Sequence, residues 1–124
     1  MNAHELQQRL IDFGVQIIRI AESLPSTKAG SCLSGQLVRS GTSPALNYGE
    51  AQSAESRADF IHKLKVVLKE LRETSISLQL AQSALSLATP RLLEQAMLEC
   101  DELISIFVKS VKTAEANRCR GQRR

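Results

Sequence analysis

Aromatic side chains are scarce in this sequence: they make up 3% of its 124 residues, and tryptophan does not occur. A core must then be assembled from Leu, Ile, Val and Ala, which suits helix packed on helix better than a sheet sandwich. Only three prolines and six glycines interrupt the chain, so long elements with few breaks are expected. No apolar run approaches the roughly 18 residues of a membrane-crossing helix, and no basic-then-apolar leader of signal-peptide type is present. The expectation is a soluble cytoplasmic protein without a membrane partner. At this length a single domain buries one continuous core.

Cys32, Cys100 and Cys119 are odd in number, widely spaced and without a CxxC pair, which argues against a disulfide framework or a zinc site. Cys32 and Cys100 are expected to fill core volume, and Cys119 to be exposed near the end. Acid is missing after Glu115, whereas Arg118, Arg120, Arg123 and Arg124 follow it. Without those four arginines the chain carries 12 basic against 13 acidic side chains, so its net charge of +3 originates in the final stretch NRCRGQRR. Such a stretch suits contact with nucleic acid, and it equally suits a frayed, solvated terminus. The expected division is a bundle over 1–117 and a basic tail over 118–124.

What is abundant is helical periodicity. Asn2 with Glu5 three residues later offers a helix start, because both side chains serve unpaired N-terminal amides. Leu6, Leu10, Phe13, Ile17, Ile20 and Leu24 then form one apolar face ending near Leu24–Ser26. A second helix fits from about Lys28 to Ser53, capped by Ser26 or Thr27. Pro44 lacks an amide hydrogen and crowds the preceding turn, so a kink is expected there, or a restart with Thr42 or Ser43 as a new cap. Ser56 and Asp59 form a further cap, followed by Ile61, Leu64, Leu68, Leu71, Leu78 and Leu85 on a heptad seam broadened by Phe60 and Val67. This third helix is expected to reach about Ala88, some 30 residues or roughly 45 Å. Thr89 and Pro90 open the fourth, which turns Leu93, Met97, Cys100, Ile104, Phe107 and Val111 inward. Short connections favour antiparallel neighbours, and the expected fold is an all-α, up-down-up-down four-helix bundle.

Within helix two a polar group stands out. At about 100° per residue, Gln36, Arg39, Ser40, Ser43, Asn47 and Glu50 share one face bordering Leu33, Leu37, Pro44, Tyr48 and Ala51. These side chains offer donors and acceptors that can satisfy one another or equivalent groups on another subunit, so they are expected to form a structural and assembly network. The segments LPS, QLVRSGTS, NYGEA and SRADFIHKLKVVLKELRET, spread over about Leu24 to Thr74, together resemble the small four-helix-bundle family known as 23S rRNA intervening-sequence proteins. The resemblance implies a homo-oligomer, a pentamer in that family, associated with reading frames in or near ribosomal RNA genes. It also implies similarity to the accessory proteins of diversity-generating retroelements, which bind nucleic acid beside a reverse transcriptase, and it implies no catalytic activity. The family's signature positions fall on Gln36, Arg39, Ser40, Ser43, Asn47 and Glu50, then on Asp59, Phe60, Lys63, Leu64, Lys69, Glu70 and Glu73. Two departures from the family pattern are Pro44, where a branched aliphatic residue is usual, and Ile76-Ser77, which replace an aromatic pair.

Chemistry-bearing patterns are few. Ser56, Asp59 and His62 lie one turn apart along a single helix, which aligns them on its surface without aiming them at one reacting atom. His4 and His62 have no partners at ligand spacing, and no Gly-rich phosphate loop occurs. No catalytic residue, metal site or cofactor is expected. A basic row is the stronger signal: His62, Lys65, Lys69 and Arg72 recur at three- and four-residue spacing. It reads as a solvated face balanced by Glu70 and Glu73, or as phosphate contacts that a homo-oligomer would multiply. With few aromatics to stack on single strands, RNA or DNA would be held weakly, by its backbone, through Lys65, Lys69, Arg72, Arg118, Arg120, Arg123 and Arg124. The alternative is a scaffold that recruits another protein, such as a reverse transcriptase, with no nucleic-acid contact of its own.

Overall fold

The computed structural model describes residues 1–122 and contains four helices: α1 (Ala3–Ser23), α2 (Lys28–Gln52), α3 (Arg57–Ala84) and α4 (Pro90–Gln122). Each start has a local cause. Asn2 accepts a hydrogen bond from the Glu5 amide at 2.8 Å and donates to the Glu5 carboxylate at 3.2 Å, while Thr27 and Ser56 accept from the amides of Gly30 and Asp59, both at 3.0 Å. Caps of this kind each contribute about 1 kcal/mol. At α4 the Thr89 carbonyl accepts from Leu93, and the Thr89 hydroxyl lies 3.1 Å from that of Ser23, tying the loop before α4 to the end of α1.

Sequential helices pack side by side and α4 returns to α1, giving the up-down bundle. The antiparallel register is visible in the cross-links: Arg9 to Glu99 and Glu102, Arg39 to Glu70 and Glu73, and the Cys100 thiol donating to the Leu71 carbonyl at 3.2 Å. Leu10, Phe13, Ile17, Leu37, Leu64, Val67, Leu71, Leu78, Leu93, Leu103 and Phe107 are fully enclosed. Each such side chain stabilises the fold by roughly 1.5–3 kcal/mol relative to exposure. Tyr48 meets Phe107 edge-on across the core, with ring centroids 5.5 Å apart.

Several expectations are corrected. Helix α2 does not restart at Thr42 or Ser43: it is helical from Lys28 to Gln52 with Pro44 inside it. A proline here costs about 3 kcal/mol, which is offset because α2 is packed between α1 and α3 and buries Leu37, Pro44, Tyr48 and Ala51. Helix α3 stops at Ala84 and not near Ala88, since Leu85 turns extended and Leu85 and Leu87 fold back against the core. Cys32 is exposed instead of filling core volume, because Leu33 and Leu37 point inward on this stretch and Cys32 is rotated away from them. In α4 the inward set is Leu93, Ala96, Cys100, Leu103, Phe107, Val111 and Ala114, so Met97 and Ile104 lie at its margin, half-buried.

One close crossing shapes the α1–α2 pair. A Cβ on Gly41 would lie 2.5 Å from Ile17 Cγ2, and one on Gly14 would lie 3.5 Å from the Gly41 carbonyl oxygen. Two glycines face each other across this crossing and let the backbones approach.

Candidate nucleic-acid interface

The basic row occupies the outer face of α3, where Lys65, Lys69 and Arg72 are all exposed, as is His62. Lys65 reaches across to Glu115 of α4 at 3.2 Å, a surface pair of small energetic weight. Lys69 and Arg72 have no acidic partner within salt-bridge distance among the described residues. Helix α4 continues past 117, so Arg118 and Arg120 project from helical backbone. Arg118 joins Lys65 and Glu115 along one groove, and two positions far apart in sequence thereby share a surface. Arg123 and Arg124 lie outside the described residues.

Lys109 and Lys112 add to this basic surface and are absent from the expectation drawn from sequence. Both are exposed on the last turns of α4, where the described residues after Glu102 carry Lys109, Lys112, Arg118 and Arg120 against Glu115 alone. Their three-residue spacing is the signal for them in the sequence, where the apolar face of helix four dominates the pattern. The first half of α4 is the reverse, with Glu94, Glu99, Asp101 and Glu102. Arg9 binds two of these acids, meeting Glu99 through Nε at 2.8 Å and Nη2 at 2.7 Å. The hydrogen bond to Glu99 holds the Arg9 guanidinium above its ordinary pKa.

The polar residues of α2 find partners mainly on α3. Arg39 Nη1 donates to Glu70 at 3.1 Å and Nη2 to Glu73 at 2.9 Å, and Lys63 donates to Glu50 at 2.8 Å. The hydrogen bond from Arg39 holds the Glu73 carboxyl below the usual carboxylate range. Ser40, 1% exposed, pairs at 2.9 Å with the Thr74 hydroxyl, which is 0% exposed and donates to the Glu70 carbonyl. Asn47 donates to the Ser43 hydroxyl at 2.8 Å and to its carbonyl at 3.0 Å. Gln36 is exposed, and its amide donates to the Cys32 sulfur at 4.0 Å. Every buried side-chain N or O atom among the described residues has a hydrogen-bond partner.

A different surface has no such partners. Ile11, Val15, Ile18 and Leu46 line a shallow groove between α1 and α2, and they are 42%, 41%, 36% and 69% exposed. Ser56 serves as the α3 cap, and His62 points to solvent, so the two do not converge on Asp59. Burial, with Asp101 and Glu99 nearby, pushes the Cys100 thiol up to about 12, while Cys32 and Cys119 are exposed. Among the described residues no group of three or more His, Cys, Asp or Glu side chains is placed to hold a metal ion, and no helix is long and apolar enough to cross a membrane.

These features define an all-α bundle with its polar α2–α3 seam closed and a cationic α3–α4 edge. Residues 2–109 match the family described as 23S rRNA-intervening sequence protein, and the chain belongs to that family. It is also similar to a crystal structure of a protein of unknown function from the S23 ribosomal protein family of Bacteroides thetaiotaomicron. That likeness has a TM-score of 0.78 and 30% identity, over 90% of this chain and 99% of the other. Comparison with curated proteins gives no match.

Proposed function

We propose that this protein acts without catalysis, as a homo-oligomer of about five copies that binds RNA or DNA weakly through backbone phosphates. The observation that carries the reading is the cationic edge, in which Lys69, Arg72, Lys109, Lys112, Arg118 and Arg120 are exposed without acidic partners among the described residues. Phosphate contacts need mobile, accessible cations of this kind, and repeating the edge around an oligomer multiplies weak contacts. The family's association with a ribosomal RNA insertion supports a nucleic-acid partner. The apolar α1–α2 face supports self-association, since contiguous exposed apolar surface is what assembly covers. Similarity to retroelement accessory proteins adds a reverse transcriptase to the candidate partners.

Titration of the protein against duplex and single-stranded RNA and DNA tests the reading. Phosphate neutralisation releases counterions, so log affinity should fall with log salt at roughly −0.7 to −0.9 per phosphate contacted. Replacing Lys65, Lys69 and Arg72 by Gln should weaken binding across sequences without changing preference. Removing residues 118–124 should flatten the salt slope and leave the bundle intact, because Ala114 is the last buried side chain described. Binding no tighter than about 10⁻⁴ M at low salt would replace this reading by a protein-recruiting scaffold, which the unpartnered apolar face favours.

A further inference from the structure

At one end of the bundle, between the start of α1 and the last turns of α4, a cleft of about 440 Å³ opens above the start of α3. Its size falls in the ordinary range of small-ligand sites, about 300–1,000 Å³. Leu6, Phe60, Leu64 and Ile106 form an apolar floor, backed by Tyr48. Among the described residues two cationic side chains, Arg57 and Lys109, stand at the rim, and no acidic side chain lines the cleft. Neither has an acidic partner within salt-bridge distance among the described residues. Arg57 instead lies over the Phe60 ring, 5.9 Å from its centroid. Thr113 and Asn117 add neutral donors and acceptors.

An occupant must therefore be flat or apolar on one side, anionic on another, and able to form hydrogen bonds along an edge. An acyl carboxylate would use the floor and the cations but leave Thr113 and Asn117 without a role. A nucleotide uses all three. We infer that this cleft takes one unpaired nucleotide of a single strand, with its base against Phe60 and the Arg57 guanidinium plane and its phosphate drawn by Arg57 and Lys109. Aromatic and guanidinium planes are the usual platforms for splayed bases. The inference rests on the nucleic-acid reading above and adds a preference to it: the α3–α4 edge holds backbone of any form, whereas the cleft admits only an unstacked base.

The test compares single-stranded and duplex oligonucleotides of equal length at fixed salt, followed by fluorescence anisotropy. The wild-type chain is expected to bind the single strand more tightly. Phe60→Leu, which keeps apolar volume on the floor, and Arg57→Gln should each cost roughly tenfold in single-strand affinity, the scale of one stacked base. Duplex affinity should stay within about twofold, and Phe60→Tyr should retain single-strand binding. Equal losses on both forms, or no preference in the wild type, would overturn the inference while leaving the phosphate reading standing. If neither polymer binds, that reading falls, and calorimetry with AMP decides the cleft separately. AMP binding that Phe60→Leu abolishes upholds the assignment to the cleft, whereas decanoate bound in place of AMP, or neither bound, overturns it.

Discussion

The two long surfaces flanking α2 solve the same problem in opposite ways. Toward α3 the helix presents Arg39, Ser40 and Glu50, and each meets a partner on α3 within the chain. On its α1 side, at the outer surface, Leu46 shares an open groove with Ile11, Val15 and Ile18 and meets no further layer. The polar seam is therefore complete in one copy, and the apolar face is not. For a small bundle the informative surface is the exposed apolar one, since polar groups can be satisfied by water or by neighbours whereas clustered apolar groups are relieved only by burial.

The most disruptive way to break this contrast is to place charge on the open face. Wild-type protein should scatter light as a particle several times its 13.6 kDa chain mass. Val15→Glu with Leu46→Glu should reduce it to a single chain with helical circular dichroism preserved, because both side chains are already exposed. A wild-type chain that is monomeric over a wide concentration range would remove the case for assembly.

Much of the fold was legible because its causes are local. Asn2, Thr27 and Ser56 announce three helix starts, and the heptad from Ile61 to Leu78 announces the buried face of α3. What escaped depends on neighbours. In α4 both Leu103 and Ile104 are apolar, and only packing against the neighbouring helices makes Leu103 the enclosed one. Pro44 reads as a breaker until the packing on both sides of α2 is known. The site was half legible: Lys65, Lys69 and Arg72 stand out by spacing, but their meeting with Arg118, and the cleft shared by Arg57 and Lys109, arise from helices far apart in sequence.

A second contrast lies inside α2. Gly41→Val should destabilise the fold by about 1–3 kcal/mol in urea unfolding, since the new side chain must displace Ile17 in a close-packed crossing. Gly35→Ala, with open space around its Cβ, should stabilise by up to about 1 kcal/mol through helix propensity alone. Equal signs for the two would mean that the crossing is looser than described.

The polar seam yields effects no larger than that of Gly41→Val. Thr74→Val removes the hydroxyl that pairs with Ser40 and leaves the buried Ser40 hydroxyl without its partner, costing about 1–3 kcal/mol. Ser40→Ala should cost less, because Thr74 keeps its bond to the Glu70 carbonyl. A larger loss for Ser40→Ala than for Thr74→Val would contradict this ordering.

The smallest effect, and the one with a pH signature, is Arg39→Gln. The Glu73 carboxyl is depressed when folded, so its pairing stabilises the protein above the ordinary glutamate pKa of about 4.3 and is lost as pH falls through the lower folded value. The stability gap between wild type and Arg39→Gln should be modest at neutral pH and close in acid. A gap that widens below pH 4 would show that Arg39 acts through something other than Glu73.

Pro44 has one more consequence, for how α2 opens. With no amide at Pro44, the Ser40 carbonyl lacks its donor four residues on, and the backbone ladder of an otherwise continuous helix has a missing rung in its middle. Local opening propagates along such a ladder by breaking successive bonds, and a rung already absent is where propagation stops or starts at least cost. The amides of the first half of α2, leading to the Arg39 and Ser40 contacts, and those of the second half, around Tyr48, should then exchange with solvent hydrogen as two cooperative blocks. A helix that is single in shape would be double in its breathing, one half tied to the polar seam and the other to the aromatic end of the core.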